Sequence, residues 1–337
     1  MTDSKKTAGK KFPKTAGIAI ILAVAAIIAA IVLLHHNPLA DPGEEIFKKT
    51  LAMILTGISA AGAIILYDKL TVLPGELWSS RELIWKLAAN DFKKRYAGST
   101  MGRFWAFIPP IVTVLIYYLV FGLIFKSRAQ LAANGIETPY VVWLMAGYVP
   151  WFYFSEALGS GTSAMIEYNY LVKKVVFKIS ILPIIKILAA TFIHVIFIAI
   201  LLIMYFCYGF EPSFYLIQIL YYSLCMFILV LGLSYSTCAI VVFFKDLNQI
   251  INIVLQLGIW ATPILWDITI IPEQYRIFFK LNPVFYIVNG YRSCLFEKQW
   301  FFEDFYSTMF FWITTILIFG IGSLIFKKLK VHFADVL

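Results

Sequence analysis

Long apolar runs separated by short polar stretches set the plan of the chain. They cover residues 16–34, 50–66, 108–125, 140–165, 184–208, 214–244, a run beginning near 250, and 308–326. A helix needs about 20 mainly apolar residues to cross a bilayer, so the pattern predicts eight spans. No alternating ~10-residue strand pattern of the barrel type appears, and helices satisfy their own backbone hydrogen bonds in lipid. A different, two-sided pattern occupies residues 81–96. At helical spacing Ile84, Leu87, Ala88, Phe92 and Tyr96 fall on one side, and Glu82, Lys86, Asn90, Lys93 and Lys94 on the other. A helix of this kind lies along a membrane surface. Asp91 and Arg95 interrupt the apolar arc at a spacing that lets them pair with each other, and an ion pair there points to a protein neighbour rather than lipid. The plainer alternative is a solvated juxtamembrane helix whose lysines rest on anionic headgroups.

Composition agrees with a polytopic membrane protein and excludes a soluble domain: 61% of the 337 residues are hydrophobic and 17% aromatic. The net charge of +9 is no sign of nucleic acid, because Lys and Arg cluster between spans, where they report topology. Residues 1–15 form a basic tail with Lys5, Lys6, Lys10, Lys11 and Lys14, expected in the cytosol. The apolar run that follows exceeds the ~7 to 15 residues of a signal peptide, so it is read as the first span of a hairpin. Residues 67–80 link this hairpin to the remainder, with Pro74 and Gly75 at their centre. Lys173, Lys174 and Lys178 mark an inside loop, and Lys327, Lys328 and Lys330 place the C-terminus inside as well. Pro263 within a span predicts a kink at 262–264. Residues 267–306 read as external.

Catalytic signatures are missing from the sequence. It has no GxxxxGK[ST] phosphate loop, no HExxH, no GxSxG and no CxxC. Cys207, Cys225 and Cys238 lie in spans and Cys294 in a loop, which implies no disulfide framework. His35 and His36 invite a metal reading, though adjacent histidines in a short turn are more often bystanders. His194 is expected to be a hydrogen-bonded interior residue. Glu156 sits inside a span, where ionisable groups are expensive, and it is either a contact on a pathway or a helix-to-helix hydrogen bond.

The segment RYAGSTMGRFWAFIPP and its surroundings resemble the start of the membrane subunits of type-2 ABC exporters, in the branch that moves polysaccharides, O-antigens and teichoic acids. The matching positions are Asp91, Lys93 to Arg95, Tyr96, Gly98, Ser99, Gly102, Trp105 and Pro110; Pro109 stands where an Asn is common. Gly98 suits a left-handed helix cap and Ser99 the start of the next helix. Asn169, Leu171, Lys173 and Phe177 match the family's coupling segment, with Lys178 where a proline is usual. Lys245-Asp246 and Thr262-Pro263 complete four features in family order over residues 79–337.

The resemblance implies an all-α fold with a six-span core (79–337) opened by the interface helix, to which a tail, hairpin and linker (1–78) are added. It also implies a homodimer in the plasma membrane, with both termini cytosolic. Two copies of an ABC ATPase would bind ATP and magnesium, leaving this chain without a cofactor, and the cargo would be a lipid-linked polysaccharide. Asn169, Leu171, Lys173, Lys174, Phe177, Asp91 and Arg95 are then the expected coupling residues. In the family the first and fifth core spans border the translocation route. Tyr117, Tyr118 and Trp260, together with Glu156, are therefore the pathway candidates, the aromatics stacking on sugar faces. Most of the other aromatics, Trp143, Tyr148, Trp151 to Phe154 and Trp266, read as an interfacial belt. Two short helices re-entering the membrane are expected within 267–306. The rival readings are a type-2 exporter of lipids or drugs and a membrane-embedded glycosyl or acyl transferase, the latter needing a polar catalytic cluster.

Overall fold

The computed structural model describes residues 14–34, 42–65, 67, 72–95, 101–125, 130–131, 137–173 and 178–336. Helices α1 (Lys14–Leu34) and α2 (Pro42–Ile65) pack on each other as a hairpin, and α3 (Val72–Ser79) leads into α4 (Arg81–Arg95). Gly98 and Ser99 lie outside the described residues. The break that is described falls at Gly102, whose φ of +52° is a left-handed value that side chains disfavour. A 3-10 turn (Gly102–Ala106) then enters α5 (Ile108–Tyr117), with Pro109 and Pro110 in its first turn, where their missing N–H groups cost nothing. The span continues as a π-helical segment, Tyr118–Ile124. A two-residue antiparallel pair, Gln130–Leu131 with Glu137–Thr138, is a feature that the expectation of an all-helical chain missed.

The rest of the core consists of α6 (Tyr140–Glu167), the single turn α7 (Asn169–Val172), α8 (Leu182–Cys207), α9 (Gln218–Val241), α10 (Leu247–Ala261), α11 (Glu273–Lys280), α12 (Pro283–Arg292) and α13 (Phe305–Leu329). Among the described residues six helices are long and apolar enough to cross a membrane: Lys14–Leu34, Glu45–Ile65, Phe104–Ile124, Ile179–Cys207, Phe214–Val241 and Phe305–His332. The other two expected spans fall short in different ways. Helix α10 has 15 residues, and α6 has 28 but is richer in Trp, Tyr, Ser and Gly. Position explains α6. It packs against α8 and α9 at once and is the most enclosed of the long described helices, so most of its surface meets protein rather than lipid.

Helix α9 also carries α13, and the two backbones approach at a glycine pair. A Cβ built on Gly232 would lie 2.9 Å from the Phe319 Cα, and one on Gly322 would run into the Gly232 carbonyl oxygen. We expect Gly232→Leu to force α13 off α9 and destabilise the protein by roughly 1 to 3 kcal/mol, the usual range for overpacking. A thermal melt of the purified chain reads it, and an unchanged midpoint would mean that these helices are not so close.

Pro263 ends a helix instead of kinking one that continues. Helix α10 stops at Ala261, and Thr262 is extended (φ −91°, ψ 135°), the conformation that a following proline favours. Of the two short helices beyond it, α11 has no buried residue whereas most of α12 is buried. Asn282 joins this region together, capping α12 at the Val284 N–H (3.0 Å) and donating its amide to the Thr262 hydroxyl (3.0 Å).

Candidate functional site

Helix α4 buries Ile84 and Ala88 against α8, and Trp85 and Phe92 both meet the Phe192 ring, at 5.5 and 5.4 Å between centroids. The apolar face read from the sequence is therefore the docking face. Asp91 and Arg95 each reach a partner on another helix of the same chain. Asp91 accepts from Lys186 Nζ on α8 (3.0 and 3.2 Å) and from the Tyr168 hydroxyl (2.5 Å). Lys186 also bonds Glu167 (2.6 Å) and lies 4.9 Å from the centre of the Tyr168 ring. Only 8% of the Lys186 side chain is exposed. Burial, then the hydrogen bond to Asp91, pushes the Tyr168 hydroxyl far above its ordinary pKa, so it stays protonated and donates. Arg95, the last residue of α4, bonds Glu156 on α6 at 2.5 Å. Of the two readings of Glu156, the helix-to-helix contact is thus present, as a salt bridge.

Immediately after Tyr168 comes the turn of the coupling candidates. Asn169 and Lys173 are exposed, Leu171 is half-buried and Val172 is buried; Lys174 and Phe177 lie outside the described residues. Two further ties hold this side together. The Ser180 hydroxyl donates to Glu76 on α3, and Lys178 Nζ donates to Ser79 (3.1 Å). The charged network thus ties the amphipathic helix to the turn that begins at Asn169.

The aromatic candidates lie elsewhere and are not gathered into one cluster. Tyr117 sits edge-on to Tyr148 (5.2 Å) on α6, Tyr118 is 42% exposed, and Trp260 is 65% exposed at the end of α10, its carbonyl accepting from Trp266 Nε1 (2.9 Å). Interior polar groups behave as expected of His194. Its Nε2 is 3.1 Å from Ser223 Oγ and 3.2 Å from the Tyr291 hydroxyl, and its ring stacks on Tyr153 at 4.3 Å.

Two residues escaped the sequence reading. Lys186 is a lone cation early in an apolar span, a signal of the kind that singled out Glu156. Arg292, placed in an external loop by its neighbours' polarity, is buried. Its two terminal nitrogens donate to the carbonyls of Pro263 (2.7 Å) and Ile264 (2.8 Å), and its guanidinium lies 3.4 Å from the centre of the Trp143 ring. Pro263 ends helical bonding, and Arg292 donates to two carbonyls of the non-helical stretch just past the α10 end.

A multi-pass helical bundle opened by an amphipathic helix ion-paired to its spans defines a membrane-embedded subunit, and comparison with known proteins gives its family. The chain belongs to the ABC-2 type transporter family, whose description matches residues 82–296. It is 27% identical over 262 residues to the O-antigen export system permease protein RfbA of Myxococcus xanthus, covering 77% of this chain and 97% of that one. A protein of the same name from Klebsiella pneumoniae is 27% identical over 258 residues, covering 76% and 95%. The polysialic acid transport protein KpsM of Escherichia coli is 24% identical over 215 residues, covering 62% and 79%.

Proposed function

We propose that the chain is the membrane subunit of an ATP-driven exporter that carries a lipid-linked cell-surface polysaccharide across the plasma membrane. The observation that carries this reading is the match to O-antigen export permeases over nearly their whole length, in a chain of the ABC-2 type transporter family. The chain works as a homodimer with two copies of an ABC ATPase, which bind the ATP and magnesium. It crosses the membrane eight times with both termini in the cytosol, residues 1–78 adding a tail, hairpin and linker to a core of 79–337. Counting α6 and α10 as spans is supported by their places in the bundle, α6 at its centre and α10 against it.

Coupling to the ATPase falls to Asn169, Leu171, Lys173, Lys174 and Phe177, with Asp91 and Arg95 passing the movement on. In support, Asp91 bonds the residue before Asn169, and Arg95 bonds a core helix. Tyr117, Tyr118, Trp260 and Glu156 border the route, the exposed rings offering flat faces to sugar C–H groups.

Deleting the chain from its native cell tests the proposal. Surface glycan should disappear and lipid-linked glycan accumulate on the cytosolic side; normal surface glycan would overturn it. Because the sequence has no phosphate loop, the purified chain alone is expected to hydrolyse no ATP, whereas the complex with its ATPase does. Hydrolysis by a homogeneous preparation of the chain would contradict this division of labour.

A further inference from the structure

Between α6 and α10 runs a groove of about 480 Å³, lined by Ser155, Glu156, Ser160, Ser163, Asn248 and Asn252, with Ile251 as its apolar contribution. Ser163 Oγ lies 3.4 Å from the Asn248 side-chain oxygen across it, and the same two helices approach again where Gly258 faces the Trp151 ring. The polar positions fall at helical spacing on both sides: 156, 160 and 163 on α6, and 248 and 252 on α10.

The accepting lone pairs and amide N–H groups of this wall favour a polar occupant over an apolar one. Its volume lies within the usual range for small-ligand sites, about 300 to 1,000 Å³. Its chemistry narrows the ligand. No Lys or Arg lines it, and its one carboxylate already has a cation, since Arg95 takes Glu156 Oε1. A phosphate or other anion would find no uncompensated positive charge. A ligand rich in hydroxyl groups would find partners along the wall: the Ser155, Ser160 and Ser163 hydroxyls give their hydrogens to Phe152 O, Glu156 O and Asn248 Oδ1 and keep lone pairs that accept, the asparagine amides donate, and the second Glu156 oxygen accepts.

We propose that this groove binds the uncharged, hydroxyl-rich sugar part of the cargo, with Glu156, Ser160, Asn248 and Asn252 as its hydrogen-bonding groups. The proposal rests on the exporter reading and deepens it. Arg95 thereby acquires a second role. As the last residue of α4 it holds Glu156 in the groove wall, so a movement of α4 changes the wall itself.

The test uses the full complex with its ATPase in native membranes, with the cell's own glycan as the probe. A benzophenone amino acid replaces Asn252 and, as a lipid-side control, Leu220 of α9, which is 69% exposed. Light should link glycan, detected by periodate staining, to position 252 and not to 220. The double variant Asn248→Leu/Asn252→Leu should assemble with the ATPase yet export about tenfold more slowly, the effect of a single lost hydrogen-bond equivalent. Crosslinks from 252 to a second copy of the chain with no glycan adduct, in cells whose surface glycan depends on the chain, overturn the groove but leave the exporter reading standing. Surface glycan that survives deletion of the chain overturns both.

Discussion

Lys186→Met should be among the most damaging single changes in the protein. The substitution leaves the Asp91 and Glu167 carboxylates without the cation between them, Asp91 being only 13% exposed. Removing one partner of such a buried pair typically costs about 3 to 5 kcal/mol, much of it from the charge left behind. The loss should appear as detachment of α4 from α8, read as a lowered thermal midpoint and poor recovery of the complex. Asp91→Asn together with Lys186→Met should be less harmful than the two losses added, since the double variant buries no unpaired charge on this pair. The Arg95–Glu156 pair offers a contrast within the same surface. Its side chains are 32% and 30% exposed, so its contribution to stability should be about 0.2 to 1 kcal/mol, as for other solvent-accessible pairs. Near-equal coupling in the two cycles would show that Asp91 is ordinary surface decoration.

Arg292→Lys, conservative in charge, is expected to fail almost as badly as Arg292→Met. The guanidinium reaches two carbonyls at once from a fixed fork and lies flat against Trp143, and a lysine ammonium does neither well. Hydrogen bonds from a charged donor contribute about 1.5 to 3 kcal/mol each, so the lost pair amounts to roughly 3 to 6 kcal/mol before any relaxation. The stretch that follows α10 should loosen with it. Faster proteolysis of residues 262–272 and a lower thermal midpoint report this. Gly147→Ala gives an independent route to the same defect, because its added Cβ would lie 2.8 Å from Arg292 Nη2. Wild-type stability of the lysine variant would show that the fork is dispensable.

These two residues also mark where the sequence stops being readable. The faces of α4 and most of the apolar spans follow from periodicity within a single stretch and could be assigned in advance, whereas the described glycine break falls at Gly102 and not at Gly98. Asp91 and Arg95 were recognisable as charges in the wrong place, since that too is a local observation. Their partners were not. Lys186 lies 95 positions from Asp91 and Glu156 lies 61 from Arg95, and only the folded bundle brings them together. Glu167 and Tyr168 join that network because α6 ends there. The break at Pro263 was legible as a disturbance but not as a helix end, because whether a helix resumes depends on what binds the carbonyls that follow. Arg292 binds that of Pro263 here from 29 residues away. The groove wall lay open in the sequence as Ser and Asn at helical spacing, yet its meaning depends on α6 and α10 facing each other.

The central claim is that this chain, powered by a partner, moves a lipid-linked polysaccharide across a membrane. Its most direct test is transport in proteoliposomes holding the complex of this chain with its ATPase and lipid-linked glycan from the native cell. The glycan should become accessible to an added glycosidase on the far side only when ATP and magnesium are supplied, and an ATPase-dead partner should abolish the effect. Glycan that stays protected while the complex hydrolyses ATP would contradict the account.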